Sequence, residues 1–316
     1  MMNKSFDEIK SAIKQLFEPF PQVKDVQRRI RHLAQSLPLL DAEADVVLLV
    51  GESGVGKTRM LTRTAREFAR IEHESFTEIP ILYVRIPSNC TYSNLIIAIL
   101  QALGTGLISG GVDRDRLVQI RTLLRNCKVH VVILDDANQM VDRGRSKSHY
   151  ALGDLVRQIA DETPVNFVLS GVPRLLRMVN LNEQLRSRVT EQIQIEPLAA
   201  DIKERHSIYL ALTAFDGCLA NLPRIRITDE LTAQRFAVAT AGRLRSLRNL
   251  LVKAVEIAFR SDKPQLDYPV LERAFRESLF PQAAPNRNPF STTFDGGALT
   301  RPGEPFNADA GDLFND

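Results

Sequence analysis

Short apolar runs alternate with amphipathic segments along the first two thirds of the chain. The amphipathic segments, which carry apolar residues at helical spacing, cover about 57–70, 93–103, 114–126 and 148–161. The apolar runs predict buried strands at 46–50, 81–86, 129–135 and 165–170. Strands that alternate with helices form βαβ units, so the pattern predicts an α/β fold with a parallel sheet flanked by helices.

Helical patterns precede and follow this α/β region. Ser5 and Glu8 have the spacing of a capping box, Pro19 and Pro21 end the first helix, and a second helix is predicted over about 22–36. After a short strand near 190–198 the pattern is helical to about 280. We therefore predict N-terminal helices in 1–40, an α/β domain in 41–198 and a small all-helical domain in 199–280.

The last segment, 281–316, has a different composition. It contains five prolines and four glycines, shows no periodicity, and carries five acidic residues against two arginines. We predict a disordered acidic tail. Its spaced aromatic residues make it either a docking peptide for a partner or a solvated segment without a role. These aromatic residues are Phe290, Phe294, Phe306 and Phe314.

Composition narrows the class of protein. With 316 residues, 44% of them hydrophobic and 25% charged, the chain matches a globular protein. No apolar run approaches the roughly 18 to 20 residues of a membrane span, and the first residues lack the apolar centre of a signal peptide. The three cysteines are scattered and odd in number, which argues against a disulfide framework and against a cysteine metal site. We expect a cytoplasmic protein without membrane contact.

A phosphate-binding motif follows the first predicted strand. Gly51–Thr58 fits GxxxxGK[ST] completely, with a buried strand before it and a helix after it. Its glycines let the loop turn its N–H groups toward phosphate oxygens, Lys57 would reach the β and γ phosphates, and Thr58 would bind Mg²⁺. We expect ATP and Mg²⁺ as ligands. The predicted nucleotide-binding residues are Gly51, Glu52, Ser53, Gly54, Val55, Gly56, Lys57, Thr58 and Arg59.

Acidic and polar residues follow two later strands. Asp135 and Asp136 end an apolar strand; Asp135 would serve the metal, and Asp136 would polarise the attacking water. The alternative is that the pair only caps a helix. Ser170 ends the next strand, where it could touch the γ-phosphate or the water. These roles predict an ATPase.

Arginines occur at two further places. Arg186 and Arg188 precede a short strand, from which they could reach the nucleotide of a neighbouring subunit as arginine fingers. Arg243 begins a helix of the second domain and could sense the γ-phosphate from a mobile lid. Surface arginines on a solvated basic face are the alternative in both places.

Two basic segments are candidates for contacts with DNA phosphates. Both contain Gly or Ser and are predicted to be exposed loops, so any contact would read backbone and shape rather than sequence. Solvated charge is the alternative for each. The residues are Arg114, Arg116, Arg143, Arg145 and Lys147.

The order of these motifs resembles that of AAA+ ATPases, and more narrowly the TniB/TnsC family of transposition regulators. The resemblance covers about 6–280 and is carried by LLVGESGVGKTRML (48–61), VVILDDANQM (131–140), the stretch 151–189 ending in NEQLRSRV, and GRLRSLRNLL (242–251). It implies a P-loop AAA+ ATPase domain in 41–198 and a helical lid in 199–280. One departure is Asp136, where such ATPases usually have Glu, and a misplaced water would slow hydrolysis.

The family resemblance also implies a function. Such a protein would be an ATP-dependent homo-oligomer, a ring or filament on double-stranded DNA, that links a target-selection protein of the TniQ type to a DDE transposase in bacterial DNA recombination. It would associate with the nucleoid in the cytoplasm. Two alternatives stay open: another DNA-associated AAA+ ATPase of the initiator or helicase-loader type, and a small-molecule kinase or nucleotide-gated signalling ATPase.

Overall fold

A five-stranded parallel sheet forms the centre of the first of two compact units, Val23–Glu196. A computed structural model describes residues 5–18, 20–35, 44–88, 90–106, 111–141, 146–201, 203–204, 207–219 and 222–307, with backbone only at 146 and 147. The strands of this sheet are β1 Val46–Gly51, β4 Ile81–Arg85, β5 Val131–Asp135, β6 Asn166–Gly171 and β7 Val189–Ile195. A small hairpin, which the periodicity does not predict, joins β2 Ile71–Glu72 to β3 Thr77–Glu78.

In the five-stranded sheet the strand order is β4-β5-β6-β1-β7, and all neighbouring strands are parallel. The three central strands are buried along almost their whole length, which explains their nearly continuous apolar sequence. Helices lie close to the segments that the periodicity predicts: α2 Pro21–Gln35, α3 Lys57–Glu67, α4 Tyr92–Ala102, α5 Asp113–Asn126 and α6 Ser146–Glu162. Two short helices between β6 and β7, α7 Leu175–Leu181 and α8 Glu183–Arg188, are not predicted by the periodicity.

The second unit, made of Met1–Gln22 and Pro197–Asp316, is helical. It contains α1 Phe6–Gln15, α9 Ile208–Leu219, α10 Glu230–Thr240, α11 Leu244–Ala258 and α12 Tyr268–Ser278. The capping box at Ser5 and Glu8 is formed, and Ile9 and Ile13 of α1 are buried. Helix α1 packs on α9 and α11, whereas α2 lies almost wholly in the first unit. The predicted N-terminal element 1–40 is thus divided between the two units.

The C-terminal segment corrects one prediction. Residues 281–307 are ordered against the helical unit; the final residues, with Phe314, lie outside the described part of the chain. Phe290 is 1% exposed and packs edge-on against Phe236, with 5.0 Å between ring centroids. The buried Arg287 donates to both carboxylate oxygens of Glu304, at 2.6 and 2.8 Å, and to Asp295. Composition predicts disorder because it cannot register an ion pair between residues 17 positions apart.

The described helices include none with both the length and the apolar character needed to cross a membrane.

Candidate nucleotide-binding site

The phosphate-binding motif forms a tight turn between β1 and α3. Gly54 and Gly56 have φ of 89° and 107°, a backbone conformation that glycine adopts without steric strain. Gly56 is the N-cap of α3, so the turn leads into a helix N-terminus whose N–H groups are available for an anion. Of the other loop residues, Glu52 and Ser53 are exposed and Val55 is buried. The local geometry is that of a phosphate cradle.

Lys57 lies across this turn. Its Nζ donates to the carbonyl oxygens of Gly51, at 2.6 Å, and Glu52, at 2.9 Å. The ammonium group is therefore held at the loop itself and not in bulk solvent. Thr58 and Arg59 follow in the first turn of α3, and burial together with the charge of Arg63 lowers the pKa of Arg59. The loop thus brings a cation, a hydroxyl and backbone donors together.

The predicted acidic and polar strand ends lie at the same edge of the sheet as the loop. In the register of β1 with β6, Leu49 pairs with Ser170; in the register of β5 with β6, Leu134 pairs with Leu169. Asp135 and Ser170 are therefore at the same level on adjacent strands, at the carboxyl ends where β1 leads into the loop. In open α/β sheets this edge is where ligands bind.

Asp135 and Ser170 each have one buried oxygen atom that is not hydrogen-bonded by any residue of the described part of the chain. Both side chains are 0% exposed. The Tyr83 hydroxyl donates to Asp135 Oδ2 at 2.8 Å, but no described residue bonds Asp135 Oδ1 or Ser170 Oγ. Buried polar atoms are normally satisfied, so this pair indicates a ligand or water between them and the loop. Oxygen donors of this kind suit Mg²⁺, so the residues present fit the metal.

Asp136 adopts a left-handed backbone conformation, with φ 59° and ψ 36°, at the start of the short 3₁₀ turn Ala137–Met140. Its side chain makes no capping hydrogen bond to that turn, so the structure does not favour the helix-cap interpretation of the acid pair. Instead Arg85 Nε donates to Asp136 Oδ2 at 3.0 Å. The second carboxylate is thus turned toward β4.

Tyr83 and Arg85 are site residues that the sequence analysis missed. Both lie on β4 and face the acids at the end of β5. Burial, followed by the charge and hydrogen bond of Asp135, raises the pKa of Tyr83, so its hydroxyl stays protonated and donates. The signal was present in ILYVRI, where the polar groups recur at every second residue of an otherwise apolar strand.

The two candidate finger arginines lie in α8, directly before β7. The side chains of Arg186 and Glu183 are 55% and 89% exposed, with 3.9 Å between charged atoms. Arg188 is held more closely, with Nη2 2.8 Å from Asp161 Oδ1. Because Val189 pairs with Val46, Arg188 lies at the amino edge of the sheet, opposite the loop. The six residues of β1 separate the two edges by about 17 Å.

Arg243 lies in the helical unit, at the N-cap of α11. Its guanidinium is 5.0 Å from the centroid of the Phe306 ring, which belongs to the ordered C-terminal segment. Arg245, two residues later in the same GRLRSLR run, is exposed in the first turn of α11.

The predicted loop around Arg114 and Arg116 is instead helical. Helix α5 begins at Asp113 because its first-turn acids favour a helix N-terminus and Leu117 begins its buried face. The Arg116 side chain is 14% exposed and pairs with Asp113 at 2.9 Å, whereas Arg114 is exposed. Arg143, Arg145 and the Lys147 side chain lie outside the described part of the chain.

Comparison with known proteins agrees with this geometry. One similar solved structure is Cdc6p from Pyrobaculum aerophilum, with 16% identity and a TM-score of 0.63, covering 88% of this chain and 73% of that chain. The Aeropyrum pernix ORC1 protein in complex with DNA has 17% identity and a TM-score of 0.64, covering 85% of this chain and 69% of that chain. The Aeropyrum pernix ORC2 protein, in ADPNP–ADP complexes, has 16% identity and a TM-score of 0.59, covering 87% of this chain and 73% of that chain. The parallel sheet, the phosphate loop and the helical C-terminal region define a P-loop AAA+ fold, as predicted.

The family assignment is more specific than the fold. The model of the bacterial TniB protein family matches residues 9–197, more than half of the chain. The chain belongs to this family, which confirms the resemblance identified from the motifs. No curated protein sequence matches it significantly.

Proposed function

We propose that this protein is an ATP-dependent regulator of DNA transposition. It would assemble on double-stranded target DNA and link a target-selection protein of the TniQ type to a DDE transposase. Membership of the TniB family supports the transposition role. The observation that carries the ATPase part is the buried pair of Asp135 Oδ1 and Ser170 Oγ, which no described residue hydrogen-bonds, at the edge that holds the phosphate loop.

The residues at this edge of the sheet have different roles in ATP hydrolysis. The N–H groups of the loop and Lys57 bind the phosphates, and the Thr58 hydroxyl and Asp135 Oδ1 would hold Mg²⁺, which neutralises developing charge on the phosphates. Asp136 accepts a proton from the attacking water once its carboxylate turns from Arg85. Ser170 Oγ donates to the γ-phosphate or orients the water.

A further positive charge at the γ-phosphate would come from an arginine of a neighbouring subunit. Arg188 lies too far from its own loop to serve it, because the whole length of β1 stands between them. In an assembly it would stabilise the charge on the γ-phosphate of the next subunit, a contribution worth ~10³ to 10⁵ in rate. Hydrolysis would then depend on ATP-driven self-association.

DNA would bind to the assembled form. The chain carries a net charge of only +3, which suffices for phosphate contacts only when several subunits combine their basic residues. The similar Aeropyrum pernix ORC1 structure is a complex with DNA, which supports DNA association and also favours the second candidate, an initiator-type or loader-type AAA+ ATPase.

Imaging the purified protein with duplex DNA and a non-hydrolysable ATP analogue tests the proposal. We expect rings or filaments around DNA for the unaltered chain and none for Lys57→Ala. A transposase assay then separates the candidates: stimulation supports the regulator, whereas assembly on DNA without stimulation supports the initiator or loader. A monomer that hydrolyses ATP without DNA would contradict both.

A further inference from the structure

Arg188 is held by an ion-pair network on the C-terminal half of α6. Asp161 Oδ1 lies 2.8 Å from Arg188 Nη2, and Asp161 Oδ2 accepts from Arg157 Nη1 at 2.5 Å. Arg157 in turn donates through Nε to Asp154 at 2.8 Å. The four side chains are 22% to 25% exposed, so the network is partly shielded from water. It fixes the guanidinium of Arg188 relative to the rigid helix behind it.

Within α6 itself, Asp161 is stabilised by its ion pair with Arg157 one turn earlier, but its position is otherwise unfavourable. Helix α6 ends at Glu162, and an acid in the last turn interacts unfavourably with the helix dipole. Aspartate is also a poor helix former. Asp161 has two arginine partners at this position: Arg157 belongs to α6, and Arg188 comes from α8. Asp161 therefore links α6 to Arg188, because one carboxylate oxygen pairs within the helix and the other pairs with the arginine of α8.

Arg186 provides a comparison within the same short helix. Its ion pair with Glu183 is long, at 3.9 Å, and both side chains are mostly exposed. Such a surface pair contributes little and leaves the side chain mobile. The fold thus immobilises only one of the two candidate fingers by this kind of partly shielded contact, and it is the one adjacent to β7.

We propose that Asp161 is the positioning residue of the arginine finger. It holds the Arg188 guanidinium in place at the subunit surface, so that less rotamer freedom is lost when a neighbouring γ-phosphate arrives. A planar guanidinium has five N–H donors and can bond a carboxylate and a phosphate oxygen together. This inference rests on the proposed trans role of Arg188 and adds the residue that makes the role effective.

The test uses full-length subunits with separated roles. An acceptor subunit carries Arg188→Ala and keeps its Asp136 carboxylate; a donor subunit carries Asp136→Asn, which should keep ATP binding and assembly, and keeps Arg188. Each variant should hydrolyse ATP only slowly alone, but their mixture forms interfaces with one intact Asp136 site and one intact finger. Asp161→Asn is then introduced into either the donor or the acceptor, and kcat and KM for ATP are measured with duplex DNA.

Asp161→Asn on the donor should lower kcat toward the ~10²-fold loss that a displacement of about 1 Å can cause, with KM unchanged. The same change on the acceptor should have no effect, because the acceptor supplies no finger. A merely structural residue would act equally from both sides. Asp154→Asn on the donor is the matched control; Asp154 pairs with Arg157 in the same network, and the donor should stay close to the unaltered rate.

The outcomes separate the two hypotheses. If the mixture without any change at Asp161 is no more active than either variant alone, although crosslinking shows mixed assembly, the trans role of Arg188 fails. If the mixture is active but Asp161→Asn on the donor leaves kcat unchanged, raises it, or acts equally from the acceptor, the positioning role is refuted. Asp161→Glu provides a second variant should the first fold poorly. It keeps the charge but displaces the carboxylate by one methylene, so it should also lower kcat only on the donor.

Discussion

Replacing Tyr83 by phenylalanine tests the acid pocket most directly. The change removes the only described donor to Asp135 Oδ2 and leaves a fully buried carboxylate with both oxygens unpartnered. A hydrogen bond to a charged group contributes about 1.5 to 3 kcal/mol. In a unit of this size 1 kcal/mol shifts Tm by roughly 2 to 4 °C, so we expect a decrease of about 3 to 12 °C.

Far-UV circular dichroism follows both unfolding reactions of the full chain: thermal unfolding measures the decrease in Tm, and denaturant unfolding measures the loss of unfolding free energy. Tyr209→Phe is the control, because that side chain is exposed, in the helical unit, and should change stability by no more than about 0.5 kcal/mol. If Tyr83→Phe unfolds at the same denaturant concentration as the unaltered chain, the hydroxyl does not stabilise Asp135. The electrostatic description of the pocket would then be wrong.

The same variant has a signature in its pH dependence. Burial and Asp135 raise the pKa of Tyr83 above the ordinary value of about 10, so the folded chain keeps this proton where the unfolded chain loses it. The resulting stabilisation is complete below about pH 10 and declines as the pH rises toward the folded-state pKa. Tyr83→Phe lacks this pH-dependent stabilisation. The difference in free energy of unfolding between the unaltered chain and the variant should therefore shrink above about pH 10. A constant difference would contradict the assignment.

Four further predictions concern ATP binding, ATP turnover, the C-terminal segment and DNA binding. Lys57→Ala should abolish ATP binding in a nucleotide titration, whereas Asp136→Asn should keep binding but slow turnover; the reverse pattern would refute their roles. Phe290→Ala should destabilise the helical unit by about 3 to 5 kcal/mol in denaturant unfolding, because a fully buried ring is lost, and an unchanged midpoint would show that 281–307 is dispensable for folding. DNA affinity should need ATP and fall steeply between 50 and 200 mM salt, and equal binding without nucleotide would argue against assembly-dependent contact.

The sequence by itself determined the parts of this protein that depend on near neighbours. Strand and helix periodicity predicted the parallel sheet and its helices, because burial of one face leaves a pattern readable within a few residues. The phosphate loop was predictable for the same reason: the glycines and Lys57 act through their own backbone turn. The acid pair after β5 was identified from its place behind an apolar strand.

The tertiary structure decided which distant residues meet. Tyr83 bonds Asp135 across 52 positions because β4 and β5 are neighbours in the sheet, an order that periodicity does not specify. The contact of Arg188 with Asp161 likewise depends on how α8 and α6 pack. The C-terminal segment is ordered by the burial of Phe290 and the Arg287 ion pairs, not by its own pattern. Local patterns record local burial, whereas these contacts arise only when the chain brings separate elements together.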